Sequence, residues 1–172
     1  QTLTEVQKLE PQENDLFDVI IIGAGPSGMS AGICASRADL KTLIIEKTMP
    51  GGECSTACKI DNFIGQPSGI LGEELGRNME KQLFSHDICY TCETVIDFKN
   101  LSGPIKTVVT SLGKEYRTKS IILAIGLEPK PLNADFEQRF LGFGISYYAQ
   151  SDPSAYKDKN VVVIGGGNCA CY

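Results

Sequence analysis

The chain has 172 residues, 42% of them hydrophobic, seven cysteines and a formal net charge of −5. That length accommodates one ordinary domain, or one domain and part of a second. The acidic balance and the lack of a basic stripe speak against nucleic acid as a partner, and no apolar run reaches membrane-spanning length. An odd number of irregularly spaced cysteines does not read as a secreted disulfide framework, so a reducing, cytoplasmic compartment is expected.

Residues 1–15 are polar and mildly acidic, without the apolar core of a signal peptide, and read as a flexible N-terminal arm. Phe17-Asp18-Val19-Ile20-Ile21-Ile22 is an apolar run of strand length, suited to a parallel strand covered on both faces. It runs into Gly23-Ala24-Gly25-Pro26-Ser27-Gly28 and a small-residue helix, and a second apolar strand, Lys41-Thr42-Leu43-Ile44-Ile45, closes on Glu46. This is a βαβ unit with a dinucleotide fingerprint. Gly23 permits the tight turn, Gly25 lets the backbone approach a pyrophosphate, and Gly28 lets helix and strand pack closely. The helix N-terminus offers amides to the phosphates, and Glu46 stands where an acid accepts hydrogen bonds from a ribose diol.

Apolar residues recur at helical spacing over 68–86. Strand-like segments follow at 88–98, 106–111 and 116–118, with Leu112-Gly113 as a hairpin turn. Ser120-Ile121-Ile122-Leu123-Ala124-Ile125-Gly126 reads as another buried strand, and Pro129 and Pro131 then mark a domain boundary. Asn160-Val161-Val162-Val163-Ile164 is expected to be a fresh buried strand running into Gly165-Gly166-Gly167-Asn168-Cys169-Ala170, a second fingerprint of the G-x-G-x-x-A kind. The expected fold is therefore α/β: a Rossmann-like, three-layer nucleotide-binding domain over 16–127, then a hinge and the truncated start of a second such domain over 128–172. A strand and a phosphate loop do not make a domain, so the chain is expected to be the N-terminal portion of a longer protein.

In this order the motifs resemble the low-molecular-weight thioredoxin reductase family of FAD-dependent pyridine nucleotide-disulfide oxidoreductases. The stretch from Asp18 to Gly28 resembles its opening FAD motif, and Gly51-Gly52-Glu53 its Gly-Gly-Gln flavin loop. Ile60-Asp61-Asn62-Phe63-Ile64-Gly65 is similar to its Ile-Glu-Asn-Phe-Pro-Gly, Leu123-Ala124-Ile125-Gly126-Leu127-Glu128-Pro129 to its hinge motif, and the stretch from Val161 to Asn168 to the start of its NADPH domain. The resemblance implies FAD held by Gly23, Gly25, Pro26, Ser27, Gly28, Glu46, Gly52, Glu53, Asn62 and Gly126. It also implies NADP, or a second nucleotide or flavin, at Gly165 and Gly167, and a homodimer.

The chain departs from the family where the redox pair Cys-Ala-Thr-Cys-Asp belongs: those positions read Tyr148-Ala149-Gln150-Ser151-Asp152. A replacement is available in Cys54 and Cys58, which follow Gly51-Gly52-Glu53 and resemble the Gly-Gly-x-Cys of glutathione reductases. On a helical turn the two would share a face with Cβ atoms about 5–6 Å apart, at the long end for a disulfide and hence labile, and a helix N-terminus or Lys59 would favour one thiolate. The bland reading is two small thiols filling space beside the loop. Cys89-Tyr90-Thr91-Cys92 lies on a strand, where residues three apart face opposite ways, and is expected to be a decoy. Cys34 reads as helix packing, His86 as exposed at a helix end, and Cys169 and Cys171 have no assigned role. A single histidine and no second matching cysteine pair leave no metal site.

The leading reading is a flavin-dependent oxidoreductase that passes electrons through Cys54 and Cys58 to a thioredoxin-like protein or small disulfide, with NADPH or ferredoxin as donor. The alternatives are a ferredoxin–NADP reductase of the thioredoxin-reductase type, which uses the flavin alone, and a non-catalytic flavin-binding protein.

Overall fold

The structure is a computed structural model that describes residues 8–12, 14–147, 156–167 and 170. Two compact units divide the chain, Gln1–Gly126 and Leu127–Tyr172.

The first unit is built on a six-stranded sheet: β1 (Leu16–Ile22), β2 (Thr42–Glu46), β3 (Cys89–Cys92), β4 (Val95–Lys99), β5 (Lys106–Thr110) and β6 (Glu115–Leu123), in the spatial order β3-β2-β1-β6-β5-β4. β1 pairs in parallel with β2 and β6, and β3 pairs in parallel with β2. β4, β5 and β6 run antiparallel as a meander. The helices α1 (Pro26–Arg37) and α2 (Gly72–Leu83) make the parallel crossovers.

Alternation along the strands divides the core into two layers. Val19, Ile21 and Ile44 pack with Met29 and Ala35 of α1 and Leu83 of α2 on one face. Ile20, Ile22, Leu43 and Ile45 pack on the other, against Val108, Tyr116 and the half-buried Val95 and Phe98 of the meander. The result is three layers: helices, parallel sheet and meander. Strands covered on both faces need apolar side chains at every position, and that is why β1 and β2 read as continuous runs.

Four expectations about this unit change. The segment 88–98 is two strands at opposite edges of the sheet, split where the chain turns from the parallel sheet into the meander. Residues 116–118 and 120–123 form one strand, β6; the apolar pattern is broken by exposed Lys119, which pairs with Asp18 (2.7 Å). Helix α2 starts at Gly72 rather than 68, because Ile60 and Ile70 exchange backbone hydrogen bonds (2.8 and 3.0 Å) and Gly69 takes a φ of +73°. The arm is not loose over its described part: the Tyr90 N–H donates to the Leu9 carbonyl (2.9 Å) on the free edge of β3. Lys8 pairs with Glu80 (3.0 Å) and stands 4.7 Å over the Phe84 ring. A polar composition hid the one apolar residue and one long stem that hold it. The hairpin at Leu112-Gly113 forms as expected, with Gly113 at a φ of +77°.

In the second unit the short helix α3 (Glu137–Phe140) is accompanied by a buried Glu137, whose carboxylate accepts the Leu132 N–H (2.9 Å). The expected strand at 160–164 is not formed: Val161 to Ile164 are 58–84% exposed and in no ladder. Among the described residues of this unit no strand lies alongside to pair its backbone and cover its side chains, and an apolar run alone supplies neither. Among the described residues no helix is long and apolar enough to cross a membrane.

Candidate functional site

The carboxyl ends of β1 and β2 and the start of α1 converge on one place. Gly23 leaves β1 with a φ of +102°, and its N–H donates to the Ile45 carbonyl (2.8 Å). A Cβ on Gly23 would stand 2.4 Å from the Ala124 carbonyl oxygen, and one on Gly28 would stand 1.9 Å from the Gly23 oxygen. Both glycines are therefore required by packing. Gly25 differs: a Cβ there would meet only the Gly52 Cα, at 3.9 Å. The turn is open at Gly25, forming a cradle that a side chain would fill.

Helix α1 begins there with Pro26 in its first turn and no side-chain cap. Its first amides, including those of exposed Ser27 and buried Gly28, have no intrahelical partner and suit an anion. Glu46 ends β2 as a buried carboxylate, 8% exposed. Its Oε2 accepts the Ala24 N–H (2.7 Å), and its Oε1 accepts the Thr48 N–H and hydroxyl (3.0 and 3.2 Å). Oε2 retains acceptor capacity for a hydroxyl group. An open cradle, bare helix amides and a fixed acid at the next strand end fit the pyrophosphate and ribose of a dinucleotide such as FAD.

The cysteine loop is tied to this cradle. The Gly51 N–H donates to the Ala24 carbonyl (2.8 Å), and Gly52 packs so closely that its Cβ would lie 2.9 Å from the Gly25 Cα. The 3₁₀ turn Gly52–Thr56 follows, holding exposed Glu53 and half-buried Cys54. On its far side the Gly72 N–H at the head of α2 donates to the Ala57 carbonyl (3.0 Å). Only glycine serves at 72, where a Cβ would stand 2.2 Å from the Cys54 oxygen.

The expected helical i, i+4 geometry of Cys54 and Cys58 does not occur. The turn stops at Thr56 and Ala57 is extended (φ −70°, ψ 133°), which carries Cys58 into solvent. The 3₁₀ turn is tighter than an α-turn and is seldom sustained beyond a few residues. Lys59 is engaged with Asp61 (2.9 Å).

The structure gathers Gly23, Gly25, Pro26, Ser27, Gly28, Glu46, Gly52 and the Cys54 turn. Asn62 stands exposed on the loop of residues 61–67, and Gly126 is exposed at the end of the first unit. Gly165 and Gly167 lie in the second unit with nothing near them for a Cβ to meet. Residues 148–152, Cys169 and Cys171 lie outside the described residues. Cys34 is exposed on α1 rather than packed, and His86 is half-buried rather than exposed. Cys89 and Cys92 sit on β3, and burial pushes the Cys89 thiol pKa up. Among the described residues no three His, Cys, Asp or Glu side chains cluster as a metal site.

Sequence reasoning passed over Glu93. Its Oε1 accepts from Lys114 (2.7 Å), Thr91 (2.9 Å) and Tyr116 (2.9 Å), and the side chain is 2% exposed. Burial acts to raise its pKa, but the donors, Lys114 foremost, outweigh it and hold the carboxyl below its ordinary value. The available signal was the i, i+2 spacing of Thr91-x-Glu93 and Lys114-x-Tyr116, which in extended chain at the end of β3 and the start of β6 puts the members of each pair on one side.

The pyridine nucleotide-disulphide oxidoreductase family matches residues 17–172, nearly the whole described fold. The chain belongs to that family. Among this family member's relatives, the thioredoxin reductase of Listeria innocua is 40% identical over 161 residues, 92% of this chain and 49% of that protein. The solved thioredoxin reductase of Lactococcus lactis superposes with a TM-score of 0.73 at 33% identity, covering 81% of this chain and 45% of its own. The T. acidophilum thioredoxin reductase also gives 0.73, at 31% identity, covering 90% and 50%. As a member of the oxidoreductase family, the chain spans about half the length of the relatives it matches.

Proposed function

We propose that this protein is an FAD-dependent oxidoreductase acting on disulfides, with Cys54 and Cys58 as its thiol–disulfide pair. The observation that carries the reading is the packing of Gly52 on Gly25, which starts the cysteine turn against the phosphate cradle. The thioredoxin reductase names of the relatives support the substrate class.

The cradle at Gly25, the Ser27 and Gly28 amides and Glu46 would hold the pyrophosphate and adenosine ribose. Gly52, Glu53, Asn62 and Gly126 would complete the site on the family pattern. FAD, when bound, supplies two-electron exchange with the cysteine pair. The exposed Cys58 thiolate attacks one sulfur of the substrate disulfide, breaking that S–S bond and forming a mixed disulfide. The Cys54 thiolate then attacks the Cys58 sulfur and releases the second substrate thiol. The substrate gains two electrons and two protons, and the pair becomes the Cys54–Cys58 disulfide. Cys54, half-buried and pinned between the glycine loop and α2, suits the resolving role. NADPH or ferredoxin as donor, the second nucleotide at Gly165 and Gly167, a homodimeric state and a cytoplasmic location belong to the same reading.

The test is an anaerobic reductive titration of the full-length flavoprotein beside Cys58→Ser. The expected result is two electrons beyond the flavin's own in the wild type and none beyond it in the variant. Equal uptake of two electrons by both would sink the cysteine mechanism and favour a reductase that uses the flavin alone.

A further inference from the structure

Strands β2 and β3 end side by side in parallel register, with Glu46 opposite Cys92. The Glu93 N–H closes the last rung by donating to the Glu46 carbonyl (2.9 Å). Past β2 the chain turns through Lys47 and Thr48, and the Thr48 N–H and hydroxyl both hold Glu46 Oε1 (3.0 and 3.2 Å). The carbonyl of this same Thr48 accepts a hydrogen bond from the Cys92 thiol, Sγ···O 2.9 Å. A relay therefore runs from Cys92 to Thr48, from Thr48 to one oxygen of Glu46, and from the other oxygen to the Ala24 N–H in the glycine loop (2.7 Å).

We propose that Cys92 is a positioning residue for the adenosine ribose of the cofactor, acting through Thr48 to set the rotamer of Glu46. The inference rests on the FAD reading above and deepens it. It also gives the Cys89-x-x-Cys92 motif a use that requires no pairing of its sulfurs, which a four-residue strand points to opposite faces. Residue Thr48 is held on both sides, by Glu46 through its N–H and hydroxyl and by Cys92 through its carbonyl. Released at the carbonyl, the turn loses one restraint on the residue that carries both donors to Glu46 Oε1. The acid then accepts a ribose hydroxyl only after the turn is ordered again, and that ordering is subtracted from the binding free energy.

The decisive measurement is FAD affinity of the full-length protein, read by flavin fluorescence on reconstitution of the apoprotein, with the apoprotein melting temperature recorded alongside. Cys92→Ala is expected to weaken FAD about three- to five-fold, the worth of one hydrogen bond from a weak donor. Cys92→Ser, which keeps a donor, is expected to restore affinity to within about two-fold of wild type. Because the effect travels through Glu46, Cys92→Ala made in a Glu46→Gln background should add almost nothing. Undiminished affinity in Cys92→Ala overturns the inference. So does an additive loss in the double variant, or a loss shared by Ala and Ser that follows a fall in apoprotein melting temperature. A wild-type protein that takes up no FAD overturns the cofactor reading itself, and this inference with it.

Discussion

Gly23 and Gly165 open the two glycine fingerprints, each behind four consecutive apolar residues and each with a positive φ, +102° and +117°. Their surroundings differ entirely. Val19 to Ile22 are at most 8% exposed, whereas Val161 to Ile164 are at least 58% exposed. Around Gly23 the backbone of Ala124 leaves no room for a Cβ, and around Gly165 there is nothing within 4 Å. A glycine fingerprint thus specifies a conformation the chain is able to adopt. The neighbouring strands turn that conformation into a binding site, by ladder pairing and by contact at the glycine positions.

The comparison is broken most easily with a charge. Ile21→Asp buries an unpaired carboxylate between two helices and the sheet, and is expected to cost about 4 kcal/mol or more. Val163→Asp, at an exposed position, is expected to stay within about 0.5 kcal/mol. Urea melts of both variants check this, and a Val163→Asp loss matching that of Ile21→Asp would mean that this run acquires sheet partners the described residues do not supply.

A smaller contrast comes from the first glycines themselves. Gly23→Ala meets a carbonyl and is expected to lose about 3 kcal/mol, while Gly165→Ala meets only its own left-handed backbone, worth about 1–2 kcal/mol. Equal losses in thermal melts would show that conformational strain, rather than contact, distinguishes the two loops.

The smallest effect concerns pH and the meander. The pKa of Glu93 is held below its ordinary value of 4.5 in the folded protein. Its contribution to stability is therefore complete above that value and disappears as pH falls below it. Glu93→Gln should show a shallower loss of melting temperature as pH falls from about 5 to about 3. A parallel pH profile in wild type and variant would remove Glu93 from the acid response.

The βαβ unit was legible in the sequence because its signals agree: a strand buried on both faces is apolar throughout, its loop needs glycines, and its second strand ends in an acid. The hairpin at Gly113 was legible for the same local reason. What escaped were features that depend on neighbours in space. The 88–98 run conceals a change of sheet partner that no local pattern marks, and Lys119 interrupts β6 in composition while the strand continues in the same register on both sides of it. The geometry of Cys54 and Cys58 follows from the docking of Ala57 on Gly72, fifteen residues away in sequence. The relay through Thr48 and Cys92 crosses from one strand to the next, and the sequence shows it only as an unremarked threonine and a motif that looks like something else.

The contact of Leu9 with β3 has a consequence for association. β3 is the outermost strand of the parallel sheet, and the Tyr90 N–H would face water were the Leu9 carbonyl not there. Open strand edges are templates on which other chains add strands. Removing residues 1–10 should therefore leave the cofactor cradle intact and make the protein prone to edge-to-edge self-association, visible as concentration-dependent light scattering.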